Sequence, residues 1–410
     1  MHSATRKDRI QDGVFFRKGE RPPPHFLFLL VNVRAGTPSK QAAAAVERVV
    51  DTLGRLRRDG EISDLQPQEA GESAAKLPRD NFTFLVGYGA RFFDPRRHDP
   101  PLTEAARPEF MTYLARDRGE FATIPWAVDV ADEIDGEADL CLQLNGETAS
   151  AVNRAAVEVW KEVADGGLPL QIAGFHSGFQ RDDGRSWLDF HDGISNIESS
   201  HRLPALEADA DPEWMEGGTY LAFLRVAVDL VAWRELTRAQ QEVIVGRDKL
   251  TGCPLERVDH TNGELVPVPL PGCPVGDGSK RLQRASFFDP PQRNDRLVES
   301  SHTHRANQSR AAPGPGSQRI FRQGYEFLAS IDEDGPRLGL NFVSFQKDLE
   351  RLKSVLGLEG WLGDVNFGGP TRPEPGDPPQ VPLITLLAGG YYAVPPRAKP
   401  FPGAGLFGKI

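Results

Sequence analysis

Two histidines stand two residues apart in SHTHRANQSR (301–310), with Arg305 and Asn307 directly behind them. The chain has nine histidines in 410 residues, and no other two are so close. A two-residue spacing does not put both rings on one helix face, where an i, i+4 pair would grip a shared metal. A single imidazole, however, is the usual axial ligand of haem iron. The plainer reading is a polar turn of surface helix, and the pattern alone leaves open which histidine binds anything. A second arginine, Arg322, follows in IFRQGYEF (320–327). Further upstream, WLDFHDGISNIE (187–198) holds Asp192 between His191 and Gly193. A D-G pair is a turn signal first. A carboxylate there could also move protons, provided a partner comes from elsewhere in the fold.

Composition narrows the classes. Lys plus Arg is 48 and Asp plus Glu is 58, a formal charge of −10. An acidic chain is poorly suited to the phosphate contacts that dominate nucleic-acid affinity. The cysteines are Cys141, Cys253 and Cys273, with no C-x-x-C. That argues against a zinc knuckle and covalent c-type haem attachment, and a low, odd count suits a reducing compartment. The first residues contain no apolar run of signal-peptide length, and FLFLLVNV is too short to span a bilayer. The expectation is a cytoplasmic protein without membrane or nucleic-acid partners. No P-loop and no G-x-S-x-G string occurs. LVGYG (85–89) reads as a strand entering a glycine turn. His176 and His201 are isolated, as structural or surface histidines are.

The elements that must position these residues follow from periodicity. HFLFLLVNV is a short, wholly apolar run, as a strand buried on both faces would be. Residues 39–59 have a Ser start, an Ala-rich body and apolar positions at helical spacing. Strands at 81–93 and 138–147, a helix at 147–165 and a strand at 168–180 complete a β-α-β-β-α-β unit. The second half echoes it, with strands at 217–230 and 339–346, a helix at 236–246 and another after 346. The expected fold is α+β: two ferredoxin-like lobes with antiparallel sheets flanked by helices. The expected boundaries are an N-terminal arm at 1–24, a first lobe at 25–205 carrying the D-G pair, and a second at 206–410 carrying the histidine pair. Residues 266–295 and 311–316 are rich in Gly and Pro and read as loops. The tail from 395 reads as irregular.

Several of these strings, in order, resemble the dye-decolorising (DyP-type) haem peroxidases, whose fold is of the dimeric α+β barrel type. GYGARFFD, FHDGISNI, VGRDKLTGCPL, SHTHRANQSR, IFRQGYEF, GLNFVSFQKDLE and AGGYYAVPP each resemble a segment of that family, and together they extend from about 84 to 396. The resemblance to H-x-x-R-x-N-P-R implies that His302, not His304, is the ligand of the haem iron. It implies non-covalent haem b in the C-terminal half, contacted by Arg305, Arg322, Ile194 and Ser195. Asp192 and Arg322 would be the catalytic pair on the open face. Asp348 would be the carboxylate that holds the ligand imidazole. An Asp192 of ordinary acidity would favour an acidic activity optimum. Tyr325, Trp187 and Trp361 are candidate electron carriers, with packing as the plainer reading.

The sequence departs from the family pattern in places. Asp189 replaces the first glycine of the D-G signature, which predicts altered local geometry. Gln308, Ile197 and Gln323 replace two prolines and an arginine. The implied reaction reduces hydrogen peroxide and oxidises dyes, phenols or other organic donors by one-electron steps. The alternatives are a haem carrier or sensor, and a relative that removes iron from porphyrin. A homo-oligomer is implied by the family. An encapsulating shell protein that binds the C-terminal tail is a further partner, with a docked tail as the competing explanation.

Overall fold

The computed structural model describes residues 9–14, 22–60, 62, 78–108, 138–165, 167–194, 196–197, 202–208, 212–271, 273, 295–306, 319–357 and 362–408. Eight strands close into one antiparallel barrel. They are numbered β1 (His25–Val33), β2 (Phe82–Gly89), β3 (Leu140–Gly146), β4 (Leu170–Phe179), β5 (Thr219–Val228), β6 (Phe321–Asp332), β7 (Gly335–Gln346) and β8 (Ile384–Val394). The sheet order is β4-β1-β3-β2 in the first half and β8-β5-β7-β6 in the second. Each half therefore has the strand order of a ferredoxin-like unit, as expected. The seams are short: Glu326 opposite Phe179 joins β6 to β4, and Tyr392 and Ala393 opposite Gly89 and Tyr88 join β8 to β2.

The apolar run of β1 has a simple cause. Phe26, Phe28 and Leu30 point into the barrel, and Leu27, Leu29 and Val31 point out under the helices. Both faces are buried, so alternation disappears. Inside, Phe26 stacks on Tyr325 at 4.5 Å and Phe28 on Phe223 at 4.5 Å, so rings from the two lobes meet. A polar chain shares this interior. Gln143 donates to Asn145 and Gln323, Asn145 donates to the Tyr325 hydroxyl, and Gln323 donates to the Gly13 carbonyl.

The outer face of the first sheet is covered by two long helices, α1 (Ser39–Asp59) and α2 (Ala149–Asp165). The second sheet is covered differently. α5 (Glu350–Gly357) packs Leu352, Val355 and Leu356 over β5 and β8. Near β6 the cover is built from loops, from α3 (Arg238–Val245) and from the four-residue α4 (His302–Arg305). This is where the candidate site lies.

Several expectations need correction. β6 and β8 were not read as strands, because Gln323 and Gly324, and Gly389 and Gly390, interrupt their apolar patterns. Residues 9–14 are not a free arm. Ile10 and Val14 are buried, and the Gln11 side chain bonds the backbone of Val86 and Pro395. The tail is docked, with Phe401 and Leu406 buried and the Tyr88 hydroxyl bonded to the Pro402 carbonyl. Phe401 and Leu406 are thus used within the chain. Cys253 and Cys273 form a disulfide with 6.1 Å between Cα atoms. No helix of the described residues is long and apolar enough to cross a membrane.

The stacked rings make a checkable prediction. Phe28 is fully buried between two lobes. Phe28→Ala should destabilise the protein by about 3–5 kcal/mol, read as a lower urea midpoint.

Candidate functional site

His302 opens α4 and is partly accessible, whereas His304 is buried. The His302 Nδ1 lies 2.8 Å from the Phe367 carbonyl oxygen, and the two rings stack at 4.1 Å. A carbonyl can only accept, so Nδ1 carries the hydrogen and Nε2 keeps its lone pair. Nε2 makes no hydrogen bond among the described residues. Burial pushes the imidazolium down to about 4, and the charges of Arg322 and Arg247 add to this against the Phe367 bond. The ring is therefore neutral at physiological pH.

The segment behind the imidazole is held tightly. Phe367 has φ 77, a rare conformation for a bulky residue, and this backbone turn accompanies the carbonyl's contact with His302. Asn366 exchanges two hydrogen bonds with the backbone of Ile384. A Cβ at Gly368 would stand 2.6 Å from the His302 nitrogen and 2.7 Å from the Ile244 oxygen, so only glycine lets the segment approach. Arg305 closes the unit, donating to Asp364 at 2.9 Å and to the carbonyls of Ser300 and Gly369.

The other side is the loop after β4. Asp192 N bonds the Gly184 carbonyl, and Gly193, at φ 71, donates to Asp192 Oδ1 at 2.7 Å. Asp192 Oδ2 lies over β6, 3.3 Å from where a Cβ at Gly324 would sit. Asn196 grips Arg322 by both backbone groups, and Arg322 Nη2 donates to the Ile194 carbonyl at 3.0 Å. Interior residues 321, 323 and 325 alternate with Arg322, Gly324 and Glu326, so these three share the outer face of β6.

One stretch, 245–255, supports both sides. Gly246 caps α3 with φ 85, and a Cβ there would meet Ser301 Oγ at 2.2 Å. Arg247 is buried, donates to the Gly252 carbonyl and acts electrostatically on His302. A Cβ at Gly252 would stand 2.7 Å from Ile194 Cδ1. Arg185 ties the loop to the same stretch through the Lys249 and Leu250 carbonyls.

Not every expected residue falls here. His302, Arg322, Asp192 and Ile194 come together. Asp348 does not: its carboxylate pairs with Arg351, and the partner of His302 is the Phe367 carbonyl. Arg305 serves the wall behind α4. Ser195, Asn307, Gln308 and Trp361 lie outside the described residues. Tyr325 is wholly inside the barrel, and Trp187 is half-buried with its indole on the Phe327 carbonyl. Asp189 corrects another expectation. Its φ is 64, so it holds the left-handed conformation natural to glycine. Its carboxylate turns to Arg181 and Lys249. Phe367 and Asp364 were missed; the sequence signal for them was the turn in VNFGGP, which carries no ligand chemistry of its own.

A neutral imidazole pinned at Nδ1 and open at Nε2 suits one coordination position of a metal. No group of three or more His, Cys, Asp or Glu gathers as a metal site among the described residues. The nearby charges of Arg247 and Arg322 match a group that carries carboxylates.

Comparison with known proteins fits this picture. Residues 183–399 match the family model for the C-terminal part of Dyp-type peroxidases. A deferrochelatase from Shigella flexneri is 25% identical over 304 residues, 70% of this chain and 62% of the relative. A dye-decolorizing peroxidase from Thermobifida fusca is 28% identical over 330 residues, 76% of this chain and 66% of the relative. The chain thus aligns with a little under two thirds of these relatives' length. The fold is shared with a DyP-type peroxidase from Streptomyces coelicolor, at TM-score 0.68 and 21% identity over 98% of this chain and 96% of that one. It is shared more distantly with a Rhodococcus jostii protein solved in complex with haem, at TM-score 0.55 and 17% identity over 94% and 96%.

Gly246 tests the geometry without reference to chemistry. Gly246→Ala should cost about 1–2 kcal/mol for the left-handed backbone alone, and more as α4 is displaced. Urea unfolding measures it; an unchanged midpoint would mean that α3 and α4 do not meet at this glycine.

Proposed function

The chain belongs to the DyP-type peroxidase family, and on that premise we propose that it is a haem-dependent peroxidase that reduces hydrogen peroxide at the expense of organic donors. The observation that carries the reading is one neutral imidazole with a free Nε2, facing a side that offers Asp192 and Arg322. Haem b, held without a covalent bond, supplies an iron that can give electrons to peroxide and recover them one at a time from a donor.

The residues divide the remaining work. His302 would hold the iron through Nε2. The Phe367 carbonyl fixes the tautomer and the ring plane, and it draws on the Nδ1 hydrogen, which makes Nε2 a better donor. A neutral carbonyl does this less strongly than the carboxylate of Asp348 would have done. Asp192 is positioned by its own backbone turn, with Oδ1 tied to Gly193. Its Oδ2 takes the proton from one peroxide oxygen and returns it to the other. The contact of Arg322 with Ile194 aims the guanidinium that stabilises the negative charge on the leaving oxygen.

The deferrochelatase relatives favour a second reading, removal of iron from porphyrin. An Asp192–Arg322 pair facing the ligand histidine supplies the proton transfer and charge stabilisation that peroxide cleavage needs, which favours the peroxidase. Free porphyrin, read by its fluorescence after incubation with haem, separates the two.

The roles predict a clean split between two variants. His302→Ala should lose bound haem. Asp192→Ala should keep haem and lose peroxide turnover by about 10²–10⁴-fold, the usual weight of acid–base catalysis. Haem absorbance and steady-state turnover check both, and a loss of haem from the Asp192 variant equal to that from the His302 variant would contradict the role given to Asp192.

A further inference from the structure

Glu326 is a buried carboxyl that the mechanism above does not use. It is 6% exposed. Its Oε1 accepts from the Trp187 backbone N–H at 3.0 Å, and its Oε2 has no hydrogen-bond partner. It rises from the same face of β6 as Arg322 and Gly324. At position 324 there is no side chain, and the gap is taken by Asp192 Oδ2. Arg322, Asp192 and Glu326 therefore stand in a row along one strand. A carboxylate here would be a buried anion with a single hydrogen bond and a second anion for a neighbour.

We propose that Glu326 is a proton-holding partner of Asp192, which passes it protons during turnover and regains them from solvent at the outer side of the loop. The proposal rests on the peroxidase reading and deepens it. The balance of the reaction explains the need. One peroxide, two donor electrons and two protons give two waters. Electrons from an organic donor reach the site without bringing protons along, so the protons need a path of their own. Glu326 gives the Oε2 proton to Asp192 Oδ2 and takes another from water.

The surroundings provide the outer end of that path. Trp187, whose backbone holds Glu326, and Arg181, whose charge acts on it, both line an open cavity of about 480 Å³ with Asp189, Trp233 and Lys249. The charged groups that act on Glu326 are Asp192 from the loop and Arg181 and Asp183 from the turn before it; Arg322 stands four residues earlier on the same face of the strand. Burial pushes the carboxyl up to about 8, Asp192 and Asp183 add to this, and the Trp187 bond and Arg181 oppose it. The group thus holds its proton at neutral pH and loses it as pH rises through about 8.

Glu326→Gln keeps the shape and the Trp187 bond but cannot release a proton, and Glu326→Asp keeps the acid. The first readout needs no turnover. Infrared spectra of the resting protein, with and without haem, should show a neutral buried carboxyl at pH 7 that is absent from Glu326→Gln. The second is turnover of the haem-loaded protein with a small phenol. Glu326→Gln should lower kcat at neutral pH by about tenfold or more, the low end of acid–base effects. KM for peroxide should stay unchanged, and the wild-type decline in kcat above pH 8 should disappear. Glu326→Asp should restore part of kcat. A Gln variant with wild-type kcat and an unmoved alkaline limb overturns the proposal, as does the absence of the infrared band. If wild type itself does not turn over peroxide, the functional reading fails and the relay with it. The infrared band then still decides whether Glu326 holds its proton.

Discussion

A single hydrogen bond, from His302 Nδ1 to the Phe367 carbonyl, fixes what the site can be. It decides the tautomer, leaves the Nε2 lone pair open and sets the ring plane against Phe367. The rest of this wall exists to keep that carbonyl in place. Phe367 has an unfavourable backbone conformation, and such conformations persist only when neighbours enforce them. Here the enforcement is visible: Asn366 on Ile384, Gly369 on Ser300, and Arg305 between Asp364 and two carbonyls.

Glycine is the second organising device, used as absence of a side chain. Gly368 lets the Phe367 segment reach α4, Gly246 lets α3 end against it, and Gly252 makes room for Ile194 of the Asp192 loop. Gly324 opens the space on β6 that Asp192 Oδ2 occupies. The barrel supplies a rigid strand, and four missing Cβ atoms bring loops from both halves of the chain onto it. The two sheets differ accordingly. The first is sealed by long amphipathic helices, and the second leaves its outer face at β6 to short segments that can approach a ligand.

Much of this was legible in the sequence, for identifiable reasons. The strand at 25–33 and the helix at 39–59 announced themselves because propensity, pattern and turn residues agreed. That His302, Asp192 and Arg322 lie near one another was anticipated by the order of short strings around them. What stayed hidden depended on long-range geometry. The resemblance implies Asp348 as the imidazole's partner, but its carboxylate accepts from the backbone and side chain of Arg351, and a backbone carbonyl does the work instead. No residue type betrays a carbonyl. β6 and β8 were hidden because polar or glycine positions inside a barrel break the alternation that marks a strand. Asp189 looked like a disturbance and is not one, because Asp is among the few residues that adopt a glycine-like turn at small cost.

The central claim is that His302 holds haem iron with the Asp192 side open to peroxide. It is tested most directly by the absorption spectrum of protein produced with ample haem, before and after one equivalent of hydrogen peroxide. The account predicts a ferric Soret band of high-spin type that shifts at once on addition of peroxide. Bound haem whose spectrum peroxide leaves unchanged would contradict the role of the open side, and protein that takes up no haem would contradict His302 as the ligand.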